Sequence, residues 1–428
     1  MSLLIYNLTI RLYKVLMLIA RYWNEKANNW LLGRKDLFTF LKEEKKKFPG
    51  KMVWMHCASL GEFEQGRPVL EKIKSNDPSI KILLTFYSPS GYEVMKHYKG
   101  ADIICYLPLD TFENAKKFIA IANPDLVLWV KYEYWFHFLD QLHKRNIPVL
   151  LISGIFRKDQ PFFSFFGSFW RRMLKCFDHF FLQDEVSFQL LKKIGFQNSS
   201  VSGDTRFDRV LTLSNRVEQV PYIAAFCASG RVIVAGSTWE DDELLLIHYV
   251  KANPQIRLII APHEVYRENL NSVKRKFSKS IFYSDWVNLL KETENIDNEG
   301  NKILGFNCLI IDNVGMLSSI YKYANICYVG GGFGAEGVHN VLEAAVYGKP
   351  VLFGPEYEKF LEAVDLIERG AAAEVKNAID LEQAFDNLFN NENKRNKWGM
   401  AARDYVLSKA GATDQIIDFI YKKRLLTN

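Results

Sequence analysis

The chain is poor in the features that mark several protein classes. Its 428 residues include six cysteines, Cys57, Cys105, Cys176, Cys227, Cys308 and Cys327, scattered and without a Cys-x-x-Cys pair. That spacing excludes a disulfide framework and a cysteine zinc site, and it leaves reduced core residues of a cytosolic protein. Charge of one sign is also scarce. The 55 Lys and Arg against 49 Asp and Glu give +6, which suits anionic lipid or phosphate and is too weak a signal for nucleic acid. No internal repeat is present, and no Gly-Lys-Ser/Thr follows a glycine-rich loop, so a P-loop is excluded. What remains is an ordinary globular composition, 48% hydrophobic and 24% charged, in a chain too long for one core.

The N-terminus holds the one long apolar stretch, residues 3–22. It contains Arg11, Lys14 and Arg21, each costing about 2.5–3.5 kcal/mol near a bilayer centre. No small-residue cleavage site follows, which disfavours a secretory signal. On a helix, Asn7, Arg11, Lys14 and Arg21 fall on one stripe. The pattern predicts a helix lying in a membrane interface with its cations toward headgroups; a helix packed on its own domain is the alternative.

From residue 50 onward, apolar runs alternate with polar helical stretches, which indicates parallel sheets covered on both faces. Strands are predicted at 52–56, 80–85, 103–107, 126–130 and 149–152, then at 231–236, 257–261, 308–312, 326–329 and 350–353. A helix is expected at 66–74, a last helix at 400–426 and an exposed loop at 291–302. The expected organisation is an interfacial region 1–48, a first α/β domain 49–210, a linker 211–228 and a second α/β domain 229–400. A C-terminal segment, 401–428, is expected to cross back to the first domain, with a cleft between the domains.

Several strand ends carry chemistry. His56-Cys57-Ala58-Ser59-Leu60-Gly61-Glu62 runs from a strand into a helix, with Gly61 permitting a tight turn. Glu62 there either accepts a proton from a substrate hydroxyl or complements the helix N-terminus. Trp129 to Trp135 sets Glu133 among aromatics, where a carboxylate needs a cationic partner such as Lys131 or rises in pKa. Gly330-Gly331-Gly332-Phe333-Gly334 precedes Gly337-Val338-His339-Asn340-Val341-Leu342-Glu343. Glycines let backbone approach a phosphate, a helix beginning at Gly337 offers N–H groups to it, and Glu343 can accept from ribose hydroxyls. Ala235-Gly236-Ser237-Thr238 and Pro262-His263 can line the same pocket. Phe-rich residues 161–170 precede Arg171 and Arg172, a grip for an anionic lipid or else a core helix.

These segments together resemble the Kdo (3-deoxy-D-manno-octulosonic acid) transferase family, in order across nearly the whole chain. The family's His-x-x-Ser-x-Gly-Glu is matched by His56, Ser59, Gly61 and Glu62; its Glu-Thr-Glu-Leu-Trp-Pro-Asn only by Glu133 and Trp135, with Lys131 in place of the first glutamate. Gly203-Asp204-Thr205-Arg206-Phe207-Asp208, Ala235 to Thr238 and Gly330 to Glu343 match further segments, while the usual Pro-Arg-His-Pro-Glu is shortened around His263. The resemblance implies a GT-B fold, two Rossmann-like domains facing a central cleft. It implies inverting, metal-independent transfer of Kdo from CMP-Kdo to a lipid A precursor (lipid IVA), at the cytoplasmic face of a bacterial inner membrane. Glu62 inherits the role of base and Glu133 a place beside it. Ser237, His263, Gly331, Gly332, His339, Asn340 and Glu343 would bind CMP, with Arg206 at the departing phosphate. Arg11, Lys14, Arg171 and Arg172 would meet the acceptor or the membrane. No cofactor, no metal and no nucleic acid is expected. The rivals are another GT-B glycosyltransferase, a sugar-nucleotide epimerase, or a non-catalytic membrane-binding module that keeps a nucleotide fold.

Overall fold

The short apolar runs form two parallel sheets in the computed structural model, which describes residues 2–131, 133–215, 219–228, 230–293 and 305–426. The chain divides into two units, Met1–Arg209 with Lys409–Asn428, and Val210–Ser408.

The first unit opens with helices α1 (Leu3–Ala20), α2 (Glu25–Leu32) and α3 (Leu37–Lys47). Its strands are β1 (Met52–Cys57), β2 (Lys81–Phe86), β3 (Ile103–Tyr106), β4 (Leu126–Val130), β5 (Val149–Gly154), β6 (His179–Leu182) and β7 (Ser199–Val201). They pair in parallel in the order β3-β2-β1-β4-β5-β6-β7. Alternate side chains feed two cores: Met52, Trp54 and Leu83 on one face, Val53, Met55 and Leu84 on the other. Both faces are buried because parallel crossovers place helices on each side. Ile416, Ile417 and Ile420, from helix Ala412–Lys422, complete the second of these cores.

The second unit holds β8 (Arg231–Thr238), β9 (Ile256–Pro262), β10 (Ser280–Phe282), β11 (Cys308–Ile310), β12 (Ile326–Val329), β13 (Val351–Phe353) and β14 (Ala372–Glu374). Their order is β10-β11-β9-β8-β12-β13-β14, again parallel.

Several expectations change. Helix Thr205–Asn215 occupies the start of the supposed linker, because Asp208 is tied to the backbone of Gly411 and Thr413 at 2.6 and 2.7 Å. The last helical stretch is two helices, Glu392–Lys409 and Ala412–Lys422, broken at Gly411 with φ +111°. The helix after β1 starts at Leu60, so Gly61 lies within it and outside the left-handed region that a tight turn would require. Of the polar stretch 291–302, Lys291–Thr293 end a helix and the rest lies outside the described residues.

Candidate active site

Each sheet reverses its strand order beside its first strand, between β1 and β4 and between β8 and β12. Ligands of open α/β sheets bind at the carboxyl ends of strands at such switch points. The chemistry-bearing residues of both units gather there.

In the first unit, Glu62 sits in the first turn of helix Leu60–Asn76, 8% exposed. Its Oε2 accepts the Ala58 N–H, so the helix-complementing role is present in the structure. Glu133 follows β4 after Lys131, whose φ of +58° turns the chain sharply at the strand end. The Glu133 carboxylate accepts from Trp135 Nε1 at 3.0 Å and bonds His56 Nε2 at 3.0 Å. Its partner is therefore His56, not Lys131. The His56 Nδ1 meets Thr85 Oγ1 at 2.9 Å, and Trp54 Nε1 donates to the same hydroxyl at 2.8 Å. With Thr85 donating to Nδ1, the imidazole presents its Nε2–H to Glu133, a fully buried relay that fixes the carboxylate's direction. His56, matched by the motif but given no role from it, and Thr85, which no motif marked, orient Glu133; their buried positions on adjacent strands were the available signal. Glu62 and Glu133 share one neighbourhood: burial first, then both carboxylates and Glu64, push the Cys57 thiol well above its ordinary range.

Arg206 belongs to this same unit. It pairs with Asp204 at 2.8 Å, and Gln65 Nε2 donates to that carboxylate at 3.1 Å. Burial alone would raise Asp204, but Arg206 outweighs it and holds the group low. Arg206 thus braces the Asp204 carboxylate at the end of the first sheet.

In the second unit, β8 carries a bulge at Ser237, whose φ is +53°. Such strained bulges re-aim side chains at functional sites. Trp239 and His263 stack at 4.7 Å, and His263 and His339 at 4.4 Å. Trp239 Nε1 donates to His339 Nε2 at 2.9 Å. Burial, then His263, lower the His339 pKa to about 4, so this imidazole is neutral near pH 7 and offers Nδ1–H as a donor. Asp242, buried in the first turn of helix Glu240–Ala252, ties the loop down. It accepts from Trp239 N at 2.9 Å, Gly331 N at 3.0 Å and Tyr328 Oη at 2.7 Å. Gly331 has φ +93°, and a Cβ there would lie 2.6 Å from the Gly337 carbonyl. A Cβ on Gly332 would lie 2.6 Å from Gly354 N. No motif in the sequence marked Asp242, which is the larger omission.

The glycine segment differs from its expected form. No helix starts at Gly337; a four-residue helix, Leu342–Ala345, begins later. Its first N–H donates to Asn340 Oδ1 at 3.2 Å, and Asn340 Nδ2 donates to Glu343 at 3.0 Å. Gly332, Gly334 and Gly337 do stand at Gly-x-Gly-x-x-Gly spacing, but the helix of that fingerprint is missing after them. The structure thus brings together Ser237, His263, Gly331, Gly332, His339, Asn340 and Glu343 around β8, β9 and β12, with Asn340 aiming Glu343. Among the described residues, no group of three His, Cys, Asp or Glu is placed to hold a metal ion.

The amino-terminal expectations divide. Leu4, Leu8, Leu12 and Leu16 of α1 are exposed, while Asn7, Arg11, Lys14 and Arg21 face a pocket of the first unit. The cations therefore turn toward the protein's own concavity and away from the apolar ridge. Tyr6 anchors α1 by donating to Asp110 at 2.5 Å. Asp110 also accepts the His137 and Phe138 N–H groups at 2.9 and 3.0 Å, and burial raises its pKa to about 6. Arg171 donates to the carbonyls of Phe162 and Ser164 at 2.9 and 3.1 Å, holding the Phe-rich turn. That turn exposes Phe165 at 91% and Phe166 at 79%. Arg172 lies 5.0 Å over the Phe136 ring and 3.5 Å from Asp140.

Comparison with known proteins agrees with this geometry. Acinetobacter baumannii MurG has TM-score 0.53 at 15% identity, covering 87% of this chain and 100% of its own. A UDP-GlcNAc 2-epimerase from Neisseria meningitidis has TM-score 0.56 at 16% identity, over 87% of this chain and 100% of its own. Two parallel α/β sheets with sites at both switch points define a GT-B-type fold. Residues 33–209 match the family described as 3-deoxy-D-manno-octulosonic-acid transferase (kdotransferase). The Haemophilus influenzae 3-deoxy-D-manno-octulosonic acid transferase is 24% identical over 383 residues, 87% of each protein. The chain is thus similar to Kdo transferases over most of its length.

Proposed function

We propose that this chain is a glycosyltransferase that moves Kdo from CMP-Kdo to a lipid A precursor such as lipid IVA, with inversion and without a metal, in lipopolysaccharide synthesis. The observation that carries the reading is the placement of both Glu62 and Glu133 close to Cys57 at the first sheet's switch point, with Glu133 steered by a buried His56–Thr85 relay. Glu62 accepts the proton of the acceptor hydroxyl as that oxygen attacks the anomeric carbon of the donor. The bond from that carbon to the phosphate oxygen breaks, and CMP leaves with the electron pair. In the second unit, Glu343, aimed by Asn340, accepts from the ribose hydroxyls. The neutral His339 donates to the departing phosphate beside the pinned loop at Gly331 and Gly332.

The membrane part of the proposal rests on α1 and the Phe-rich turn. Leu4 is 81% exposed and Leu8 67%, and α1 is long and apolar enough to cross a membrane by length and composition. Its three cations make a span costly, and its exposed apolar ridge favours a position along the cytoplasmic membrane surface. The same exposed apolar ridge disfavours an epimerase, whose substrate is soluble.

The test is transfer from freshly made CMP-Kdo to a tetraacylated lipid A precursor. Kdo incorporation that depends on both substrates supports the proposal. A folded protein that accepts another sugar nucleotide and ignores CMP-Kdo contradicts it.

A further inference from the structure

Helix α1 is 18 residues long, yet only Tyr6 and Ile10 of it are buried. Tyr6 and its neighbour Asn7 both reach the same place. The Tyr6 hydroxyl accepts the Phe136 N–H at 3.2 Å, and Asn7 Oδ1 bonds His137 Nε2 at 2.6 Å. Phe136 and His137 directly follow Glu133, Tyr134 and Trp135, the segment that carries Glu133 at the end of β4.

Helix Phe136–Lys144 begins there, and the first N–H groups of any helix have no partner inside it. Its own N-cap residue, Trp135, supplies no side-chain acceptor. The acceptors come from elsewhere: Tyr6 for Phe136, and Asp110 for His137 and Phe138 at 2.9 and 3.0 Å. Tyr6 ties the two acceptors together by donating its own proton to Asp110 at 2.5 Å. With Asp110, α1 therefore supplies the cap that this helix lacks.

A second route is aromatic. Tyr13 of α1 packs against Tyr87 at 6.3 Å, Tyr87 packs against Trp135 at 4.6 Å, and Trp135 Nε1 donates to the Glu133 carboxylate at 3.0 Å. Apolar packing alone, such as Tyr6 against Phe169 at 5.6 Å, would hold α1 in place. Hydrogen bonds add direction, and those of Tyr6 and Asn7 fix where residues 136 and 137 lie. We propose that Tyr6 and Asn7 are positioning residues: α1 sets the start of helix Phe136–Lys144 and, through it and Trp135, the direction of the Glu133 carboxylate. The effect on transfer rests on the proposed function; the effect on the Glu133 segment does not.

Tyr6→Phe keeps the ring and removes the hydroxyl. In Kdo transfer by the full chain, Tyr6→Phe should lower kcat about tenfold and Tyr6→Phe/Asn7→Ala about thirtyfold, with the donor KM within about twofold. In a Glu133→Ala background Tyr6→Phe should cost less than about twofold, because the group it acts through is gone. Hydrogen exchange of the tryptophan indole N–H groups, followed by NMR, is a readout independent of activity. The Trp135 signal, identified by its loss in Trp135→Phe, should exchange at least about tenfold faster in the double variant. Trp54, bonded to Thr85 within the same sheet, should be unchanged. Equal loss of kcat with and without Glu133, or equal acceleration at Trp54 and Trp135, would show a general stabilising role and overturn the positioning. Unchanged exchange at Trp135 would overturn it as well. A folded wild type that ignores CMP-Kdo, with Trp135 exchange still faster in the double variant, supports the positioning and counts against the proposed function alone.

Discussion

The two units use related parallel sheets for different chemistry. At the first switch point the polar groups are carboxylates, and the residue that orients Glu133 is a histidine inside the sheet. At the second they are a glycine loop, two stacked imidazoles and the Asn340–Glu343 pair, and the organising group is the buried carboxylate Asp242. In the proposed function, one end manages a proton and the other receives a nucleotide and its phosphate. Topology sets where a site lies, and the side chains at the strand ends set what it does.

That contrast can be broken by substitution. Glu62→Gln should lower kcat for transfer by about 10²–10⁴-fold, the range for a lost general base, with CMP binding unchanged. Equal loss of CMP affinity, read by calorimetry, would contradict the division. In the second unit Asp242→Ala leaves three donors without their acceptor and should cost about 3 kcal/mol in urea unfolding. An unchanged midpoint would show that Asp242 does not hold the loop. His56→Gln should reduce kcat up to about a hundredfold with little change in CMP affinity, because it acts by misaiming Glu133. Glu343→Gln should weaken CMP by about tenfold and barely alter stability.

The smallest effect is a difference in pH response. His339 has a folded pKa lowered to about 4 by burial and then His263. Its stabilising contribution is present above the unfolded value near 6.5 and is lost as pH falls toward about 4. Asp110, raised to about 6 by burial, contributes with the opposite sign: fully below its unfolded value near 3.9 and lost as pH rises through about 6. Unfolding midpoints between pH 7 and 4 should fall less for His339→Asn than for wild type. Identical slopes would remove His339 from that account.

Much of the fold was legible because buried parallel strands read as apolar runs. Leu126–Val130 and Ile326–Val329 were expected at their observed bounds. Strands β7, β10 and β14 were missed, since each has three residues at a sheet edge and too few apolar positions to show a period. β6 was hidden in an aromatic-rich stretch. Glu62, Glu133 and Glu343 stood at readable strand and helix ends. The roles of His56, Thr85 and Asp242 come from neighbours far apart in sequence: Asp242 meets Gly331 across 89 positions, and no local pattern encodes that. The helix expected at Gly337 was misread because left-handed glycines, Gly331 at +93° and Gly337 at +83°, keep the segment irregular until Asn340 caps a short turn.

The most direct test of the division between the units is a crossed measurement on two variants, Glu62→Ala and Glu343→Ala. Kdo transfer and CMP affinity would both be measured on each. Loss of transfer with intact CMP affinity in Glu62→Ala, and weakened CMP affinity in Glu343→Ala with transfer recovered at high donor concentration, is the expected result. Transfer that persists in Glu62→Ala, or CMP affinity that falls in it, would contradict the assignment of proton chemistry to the first unit and nucleotide binding to the second.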